Sequence, residues 1–119
     1  MKVINYAELK SLDGNCGKVK ESFSDNIALA RVEMKKGIST AHYHNKTTEY
    51  YVIISGNGLL KVKSPSGKLS DVNLETGTVV RVDIGEIHQT NNLDSLVIEA
   101  ITIPAWTFED EIESKENLF

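Results

Sequence analysis

The amino-acid sequence predicts an all-β domain, folded as a sandwich or barrel. Turn residues recur about every 8 to 12 positions, and the runs between them are rich in valine, isoleucine, threonine and tyrosine, which is typical of such folds. Polar and apolar residues also alternate. Val72 and Leu74 share one face of a predicted strand, and Asp71 and Asn73 share the other.

The predicted strands are each ended by residues that favour turns. They cover residues 27–34, 50–54, 59–63, 69–74, 78–84 and 96–103, with glycine, serine, asparagine or proline between many of them. Two segments do not fit this pattern. Residues 6–12 form either a single helical turn or an irregular entry, and the acidic residues 109–119 form either a short helix or a frayed tail.

Length and charge restrict the possible functions. A chain of 119 residues is long enough to close one hydrophobic core and too short for two. The net charge of −4 and the isoelectric point near 5.3 argue against nucleic acid or an anionic membrane surface as a partner. No apolar run approaches the roughly 20 residues of a membrane span, and the N-terminus lacks the apolar stretch of a signal peptide, so we expect a cytoplasmic protein.

The single cysteine, Cys16, lies in a loop-like segment at residues 14–17. One thiol forms no internal disulfide, and it is too few for a zinc site built from thiolates. A nucleophilic thiol needs a basic neighbour, which the sequence does not place. The sequence therefore favours a free thiol in a turn.

Two of the three histidines, His42 and His44, are separated by one residue. On a strand this spacing places both imidazoles on one face, where their nitrogen atoms can converge on one ion. Glu49 follows at an odd separation, but the turn-like residues 45–48 reset the alternation, so its carboxylate can face the imidazoles.

The third histidine, His88, follows a predicted strand and a tight turn, which makes it a possible fourth ligand. Neutral imidazoles suit zinc, copper, nickel and iron, and an added carboxylate extends the range to manganese. Taken alone, each histidine is also compatible with an ordinary polar surface position.

The spacing of these residues resembles the two sequence motifs of the cupin family. The first motif is matched by Gly37, His42, His44, Glu49 and Gly56, with one residue fewer between Gly37 and His42 than the family has. The second motif is matched by Gly77, Gly85, His88 and Asn92, with Asp83 in the place of a proline. The resemblance covers residues 37–92, about half of the chain.

This resemblance implies a cupin barrel, which is a double-stranded β-helix or jelly roll of two antiparallel sheets. It also implies one divalent transition metal per chain, namely Mn, Fe, Ni, Co or Zn. The implied metal ligands are His42, His44, Glu49 and His88. An ion with six coordination positions would keep about two of them open, as a reactive site requires.

We expect a single cupin domain over the whole chain. Its parts would be an N-terminal arm at residues 1–25, a barrel core at about 26–104 and an acidic C-terminal tail at 105–119. Because pairing with a second subunit would cover an unpaired edge strand, we also expect a homodimer.

The family resemblance implies three kinds of function, each with a small molecule as partner. We favour a metal-dependent isomerase or epimerase acting on a small sugar-like or hydroxy-carbonyl compound, since residues 49–58 look most like those of sugar-isomerase cupins. The alternatives are a non-haem metal dioxygenase and a non-catalytic small-molecule sensor. For an isomerase, Tyr51 is the candidate for proton transfer because it shares the strand face of Glu49, which could itself serve only by leaving the metal.

Four further side chains have two interpretations each. Arg31, Lys61 and Arg81 could bind an anionic substrate inside the barrel, although a solvated outer face is favoured for each. Trp106 follows the last strand, where the chain could fold over the barrel opening, although core packing is favoured for it.

Overall fold

The structure is a computed structural model that describes residues 1–14 and 16–119. Its two antiparallel sheets enclose a common hydrophobic core, which confirms the all-β prediction. The strands are β1 (Leu12–Asp13), β2 (Lys18–Ser24), β3 (Ala28–Met34), β4 (Gly37–Ile38), β5 (His42–Tyr43), β6 (Thr48–Ser55), β7 (Gly58–Lys63), β8 (Leu69–Leu74), β9 (Val79–Val82), β10 (Ile87–Asn92), β11 (Leu96–Ile103) and β12 (Ile112–Glu113). Short 3-10 helices cover Tyr6–Glu8 and Phe108–Asp110.

The strand order is that of a jelly roll. The first sheet has the order β1-β2-β3-β11-β6-β9, and the second has the order β12-β5-β10-β7-β8, with β4 also paired to β10. Neighbours in a sheet are often distant in the chain, as β3 and β11 are, because the chain passes repeatedly between the two sheets. The inner faces of both sheets therefore meet along one interior.

Alternation along the strands builds that interior. On β6, Glu49, Tyr51 and Ile53 are buried, while Tyr50 and Val52 between them are only partly buried. The predicted division of this strand into two faces is therefore confirmed. The buried apolar residues of β11, which are Leu96, Ile98 and Ala100, pack into the same core.

The sheets extend beyond the expected barrel core at both ends. β2 pairs with β3 over residues 18–24, so this segment belongs to the first sheet and not to an N-terminal arm. After residue 104, β12 pairs with β5, so the acidic segment is not a free tail. β12 has only two residues, and three of the seven residues of β2 are charged. Both strands are therefore stabilised by pairing with their neighbours in the sheet more than by a strand pattern of their own.

Three smaller expectations concern the N-terminal region and membranes. Residues 6–12 begin with a helical turn, in which Asn5 accepts a hydrogen bond from the Ala7 N–H at 2.9 Å. The loop expected at 14–17 includes Asn15, which lies outside the described residues. Among the described helices, none has the length and apolar character needed to cross a membrane.

Candidate metal centre

The three histidines and Glu49 meet between the two sheets. His42 on β5 lies opposite His88 on β10, and His44 follows β5 directly. Glu49 reaches the same point from β6 of the other sheet. All four side chains are buried, and one ligand atom of each lies within 4.8 Å of the other three. The structure therefore brings together the four predicted ligands.

A turn at residues 45–47 carries the chain from His44 to Glu49 and from one sheet to the other. The carboxylate of Asp110 accepts hydrogen bonds from the backbone N–H groups of this turn, at distances between 2.9 and 3.1 Å. Glu49 then enters β6 facing inwards, and Tyr51 follows on the same face. The turn resets the alternation, as predicted.

The turn before His88 keeps its bend with Asp83 in the place of the motif's proline. The N–H of Asp83 donates to the Glu86 carboxylate at 2.7 Å. Gly85 has a φ of 80°, which glycine adopts without strain, and its N–H donates to the His44 carbonyl at 2.8 Å. These contacts tie the loop before one ligand to the strand end that carries another.

Each histidine is oriented by a backbone carbonyl at its Nδ1 atom. The partners are the carbonyl oxygens of Thr40 for His42 at 3.3 Å, Asp110 for His44 at 2.8 Å and Glu86 for His88 at 3.0 Å. Because a carbonyl oxygen only accepts, Nδ1 carries the proton and Nε2 is the nitrogen that can bind a metal. Histidines that bind metals commonly donate their other N–H in this way.

Two of the Nε2 atoms, those of His44 and His88, are buried without a hydrogen-bond partner among the described residues. His44 Nε2 also contacts Glu49 Oε1, and a lone pair facing a carboxylate is repelled unless a cation lies between them. A proton can fill that position in the metal-free protein. A divalent cation can replace the proton and also satisfy His88, whose Nε2 lies 4.0 Å from Glu49 Oε2. These residues therefore fit a divalent transition metal.

Burial and mutual charge set the protonation of these side chains. Burial, with help from His88, lowers the pKa of His42 to about 3, and burial also lowers the pKa of His88. For His44, burial is outweighed by the close contact with the negatively charged Glu49 carboxylate, which raises its pKa. For Glu49, burial is outweighed by His44 and His88, which lower its pKa to about 2. The site thus presents a carboxylate and mostly neutral imidazoles at pH 7, the forms that bind metals.

Tyr51 lies beside the ligands, with its ring 6.2 Å from that of His88. Burial, together with the charge of Glu49, raises the pKa of Tyr51 well above its ordinary value. A base at neutral pH would need a lowered pKa, so this environment favours a phenol that keeps its proton. A role of Tyr51 in proton transfer stays a prediction, with the phenol better suited to donate than to accept.

The sequence analysis did not identify a second carboxylate at the site, that of Glu111. Its Oε1 lies 3.6 Å from His42 Nε2, and the side chain is only 9 % exposed. Pairing of β12 with β5 brings this segment to the site, since Glu113 lies opposite His42 in the sheet. No motif or alternation within residues 109–119 distinguishes Glu111 from its acidic neighbours.

Cys16 is a free thiol, as expected, and it also lies next to the centre. Its Sγ is 3.9 Å from His42 Nδ1. Burial, reinforced by the charges of Glu111 and Glu49, raises the pKa of Cys16 to about 12. Since the thiolate is the reactive form, Cys16 is not a nucleophile at neutral pH.

The three cationic candidates lie elsewhere. Arg31 pairs with Glu99 at 3.2 Å, Arg81 pairs with Asp83 at 2.8 Å, and the Lys61 ammonium lies 4.9 Å from the centre of the Phe119 ring. None of the three lines the cavity at the metal centre.

A cavity of about 160 Å³ adjoins the four-ligand cluster. His42, Glu49 and Glu111 contribute to its wall, and so does Trp106, whose ring contacts that of Phe108 at a centroid distance of 4.6 Å. Trp106 is therefore a cavity residue and not a member of the buried core cluster.

Solved structures with the same fold include enzymes that are much longer than this chain. A tryptophan-to-tyrosine variant of oxalate decarboxylase from Bacillus subtilis superposes with a TM-score of 0.80 at 16% identity, covering 92% of this chain and 31% of that one. A protein from Planctomyces limnophilus superposes with a TM-score of 0.81 at 17% identity, covering 94% of this chain and 96% of that one. The chain thus spans about a third of the decarboxylase, and at these identities the likeness shows the fold.

Sequence comparison identifies the family directly. No curated protein matches the chain. The family model described as Cupin matches residues 18–104, which include both histidine motifs and all four predicted ligands. The chain therefore belongs to the cupin family.

Proposed function

We propose that this protein is a metal-dependent isomerase or epimerase that removes a proton from a carbon atom next to the carbonyl group of a small hydroxy-carbonyl compound and returns it to the neighbouring carbon or to the same one. The observation that carries the proposal is a second carboxylate, that of the partly buried Glu111, beside a four-ligand metal centre. Isomerisation of this kind needs an electrophile at the carbonyl and a base at the neighbouring carbon. A metal held by the four ligands can supply the electrophile, and Glu111 can supply the base.

The centre would hold one divalent ion of Mn, Fe, Ni, Co or Zn through the Nε2 atoms of His42, His44 and His88 and the carboxylate of Glu49. When bound, such an ion supplies Lewis acidity to a carbonyl or hydroxyl oxygen of the substrate. The donor set suits several of these metals, so the chemistry of the ligands does not select one.

The protein's own residues would then handle the proton. Glu111 lies on the cavity wall next to His42, within reach of a carbon atom whose attached oxygen sits at the metal centre. Its carboxylate takes the proton from that carbon. In an isomerisation it returns the proton to the neighbouring carbon while the hydroxyl proton passes to the former carbonyl oxygen, and in an epimerisation it returns the proton to the opposite face of the same carbon. Tyr51, which keeps its own proton, donates a hydrogen bond to a substrate oxygen.

Replacement of Glu111 by glutamine tests this assignment. The Glu111→Gln variant keeps the size of the side chain but removes its basicity, so we expect kcat to fall about 100-fold or more while metal affinity is retained. The matched control is Glu113→Gln, at an exposed position of β12 two residues after Glu111, which should leave kcat unchanged. Loss of metal from Glu111→Gln would instead identify Glu111 as a ligand and overturn its role as the base.

A dioxygenase is the second candidate, and the apolar cavity favours it. His42, His44 and Glu49 contain the two-histidine, one-carboxylate set that binds Fe(II) in oxygenases, and a largely apolar cavity adjoins them. The iron-loaded protein should be incubated with hydroxy-carbonyl compounds and with catechols while oxygen is recorded. Oxygen uptake by the iron form alone would reject the isomerase, and ligand binding without turnover would favour a sensor.

A further inference from the structure

The walls of the cavity follow the inner face of the first sheet and are mostly apolar. The larger apolar side chains are Val19, Val32, Met34 and Ile98, which come from β2, β3 and β11. Trp106 and Phe108 add aromatic surface from the segment after β11. A ligand that reaches the metal centre therefore places most of its remaining surface against carbon atoms.

Three alanines provide the space for such a ligand. Ala30 and Ala100 are direct partners across β3 and β11, and Ala28 lies two positions from Ala30 on the same face of β3. Short side chains at adjacent positions leave open a volume that larger ones would fill. A dry apolar cavity of about 150 Å³ binds benzene, so the 160 Å³ observed here is enough for a six-carbon ring or a branched chain of similar size.

The charged side chains of the cavity wall are unsuited to a sugar phosphate. Apart from His42, the titratable charges are all acidic, namely Asp13, Glu21, Glu49 and Glu111, and no lysine or arginine is present among the described lining residues. The Thr102 hydroxyl accepts a hydrogen bond from the backbone N–H of Trp106 at 3.0 Å, which leaves a single O–H donor at this position. A sugar would bury several hydroxyl groups against apolar walls, which is costly when they find no partner.

We infer that the cavity selects hydroxy-carbonyl compounds whose body is apolar, an aromatic ring or a short aliphatic chain, in preference to sugars and sugar phosphates. The oxygen-bearing end of such a compound lies at the four-ligand centre, and the hydrocarbon end lies over Ala30 and Ala100. This inference rests on the proposed function and names the substrate class for the same site.

The test uses two neutral probes with the same α-hydroxyketone group, 2-hydroxy-1-phenylethanone and 1,3-dihydroxypropan-2-one. Calorimetry with the metal-loaded protein should show the phenyl compound binding about tenfold to hundredfold more tightly, as burial of an aromatic ring would give. Benzene alone should raise the melting temperature of the metal-free protein, because most of the cavity wall comes from the first sheet and not from the metal ligands.

Filling the cavity should remove this preference. Ala100→Leu places an isobutyl group in the cavity, and Ala30→Leu does so from the neighbouring strand if the first variant does not fold. Ala7→Leu adds the same group on an exposed helical turn and should keep the preference. Equal binding of both probes by the native protein, or a preference that survives in a folded, cavity-filled variant, would overturn the inference.

The two proposals fail in different ways. If the phenyl compound binds with the expected preference but neither probe is isomerised, the proposed function is wrong and the substrate class stands. If 1,3-dihydroxypropan-2-one is isomerised as efficiently as the phenyl compound, the isomerase stands and the apolar substrate class is wrong.

Discussion

Removal of the Asp110 carboxylate should destabilise the protein and weaken its metal centre together. This side chain is buried and accepts hydrogen bonds from the backbone N–H groups of residues 45–47, the turn that connects His44 to Glu49. Asp110→Ala keeps the backbone carbonyl that orients His44 but removes the carboxylate that accepts from the N–H groups of the turn. Two ligands would then lose their fixed separation.

The size of the effect follows from which N–H groups can reach water. Asn45 and Lys46 are exposed, so water can replace their hydrogen bonds at a cost of roughly 0.5 kcal/mol each. Thr47 is 2% exposed, and its hydrogen bond to a charged acceptor contributes about 1.5 to 3 kcal/mol. The free energy of unfolding should therefore fall by about 2.5 to 4 kcal/mol. Loss of a group that orients metal ligands typically lowers metal affinity about 10-fold to 100-fold.

Urea denaturation of the metal-free variant measures the loss in the free energy of unfolding, and metal titration measures the loss in metal affinity. Glu109→Ala is the matched control, because Glu109 is an exposed acidic residue in the same 3-10 helix. It should change the free energy of unfolding by no more than about 0.5 kcal/mol. A loss below 1 kcal/mol in Asp110→Ala, with metal affinity unchanged, would show that the turn holds its shape without this carboxylate.

The remaining predictions concern the metal, pH, one glycine and assembly. Chelation should lower the melting temperature, since a metal at 100 times its Kd stabilises the fold by about 2.7 kcal/mol, and His44→Ala should abolish the difference seen by scanning calorimetry. The metal-free protein should lose stability as pH falls from 6.5 towards 3, because the unfolded chain protonates His42 while its folded-state pKa stays at about 3. Urea titrations at several pH values in this range should show that protonation of His42 lowers the free energy of unfolding by about 1.4 kcal/mol for each pH unit. Gly56→Ala should destabilise the protein more than Gly67→Ala in the same assay. The two glycines have nearly the same φ, 93° at Gly56 and 91° at Gly67, but a Cβ at Gly56 would lie 2.0 Å from the Ser95 backbone oxygen, whereas a Cβ at Gly67 would meet no atom. Light scattering at micromolar concentration should find a homodimer, because β8 and β9 are edge strands, and a monomer would contradict this.

Most of the barrel could be predicted because the sequence marks its longer strands by alternation of polar and apolar residues and by turn residues at their ends. The runs at 69–74 and 96–103 coincide with β8 and β11, since alternation and flanking turn residues mark both ends of each. Three members of the four-residue cluster could be predicted for a related reason, and His88 was added by the cupin resemblance. Strand parity places His42 and His44 together, and the turn at 45–47 allows Glu49 to join them.

The parts that could not be predicted are those whose structure depends on partners distant in the chain. β12 has two residues, too few for any periodicity, and exists because β5 offers it an edge. Asp110 and Glu111 lie in a uniformly acidic segment, yet one is buried under a turn and the other faces a metal ligand. Burial of a carboxylate is favourable only where N–H groups or a cation can interact with it. For Asp110, those N–H groups belong to residues more than 60 positions away in the sequence.

The acidic wall gives the metal a second role besides chemistry. Glu49 and Glu111 lie at the metal centre, and no lysine or arginine is found among the described residues that line the cavity. A bound cation would therefore be the dominant positive charge there. Without it, the oxygen atoms of a hydroxy-carbonyl compound would face carboxylates, and only the apolar body would gain from binding. The metal-free protein should therefore accept benzene while discriminating little between 2-hydroxy-1-phenylethanone and its hydrocarbon analogue ethylbenzene. Metal loading should favour the hydroxyketone over ethylbenzene, since it adds attraction at the oxygen-bearing end alone.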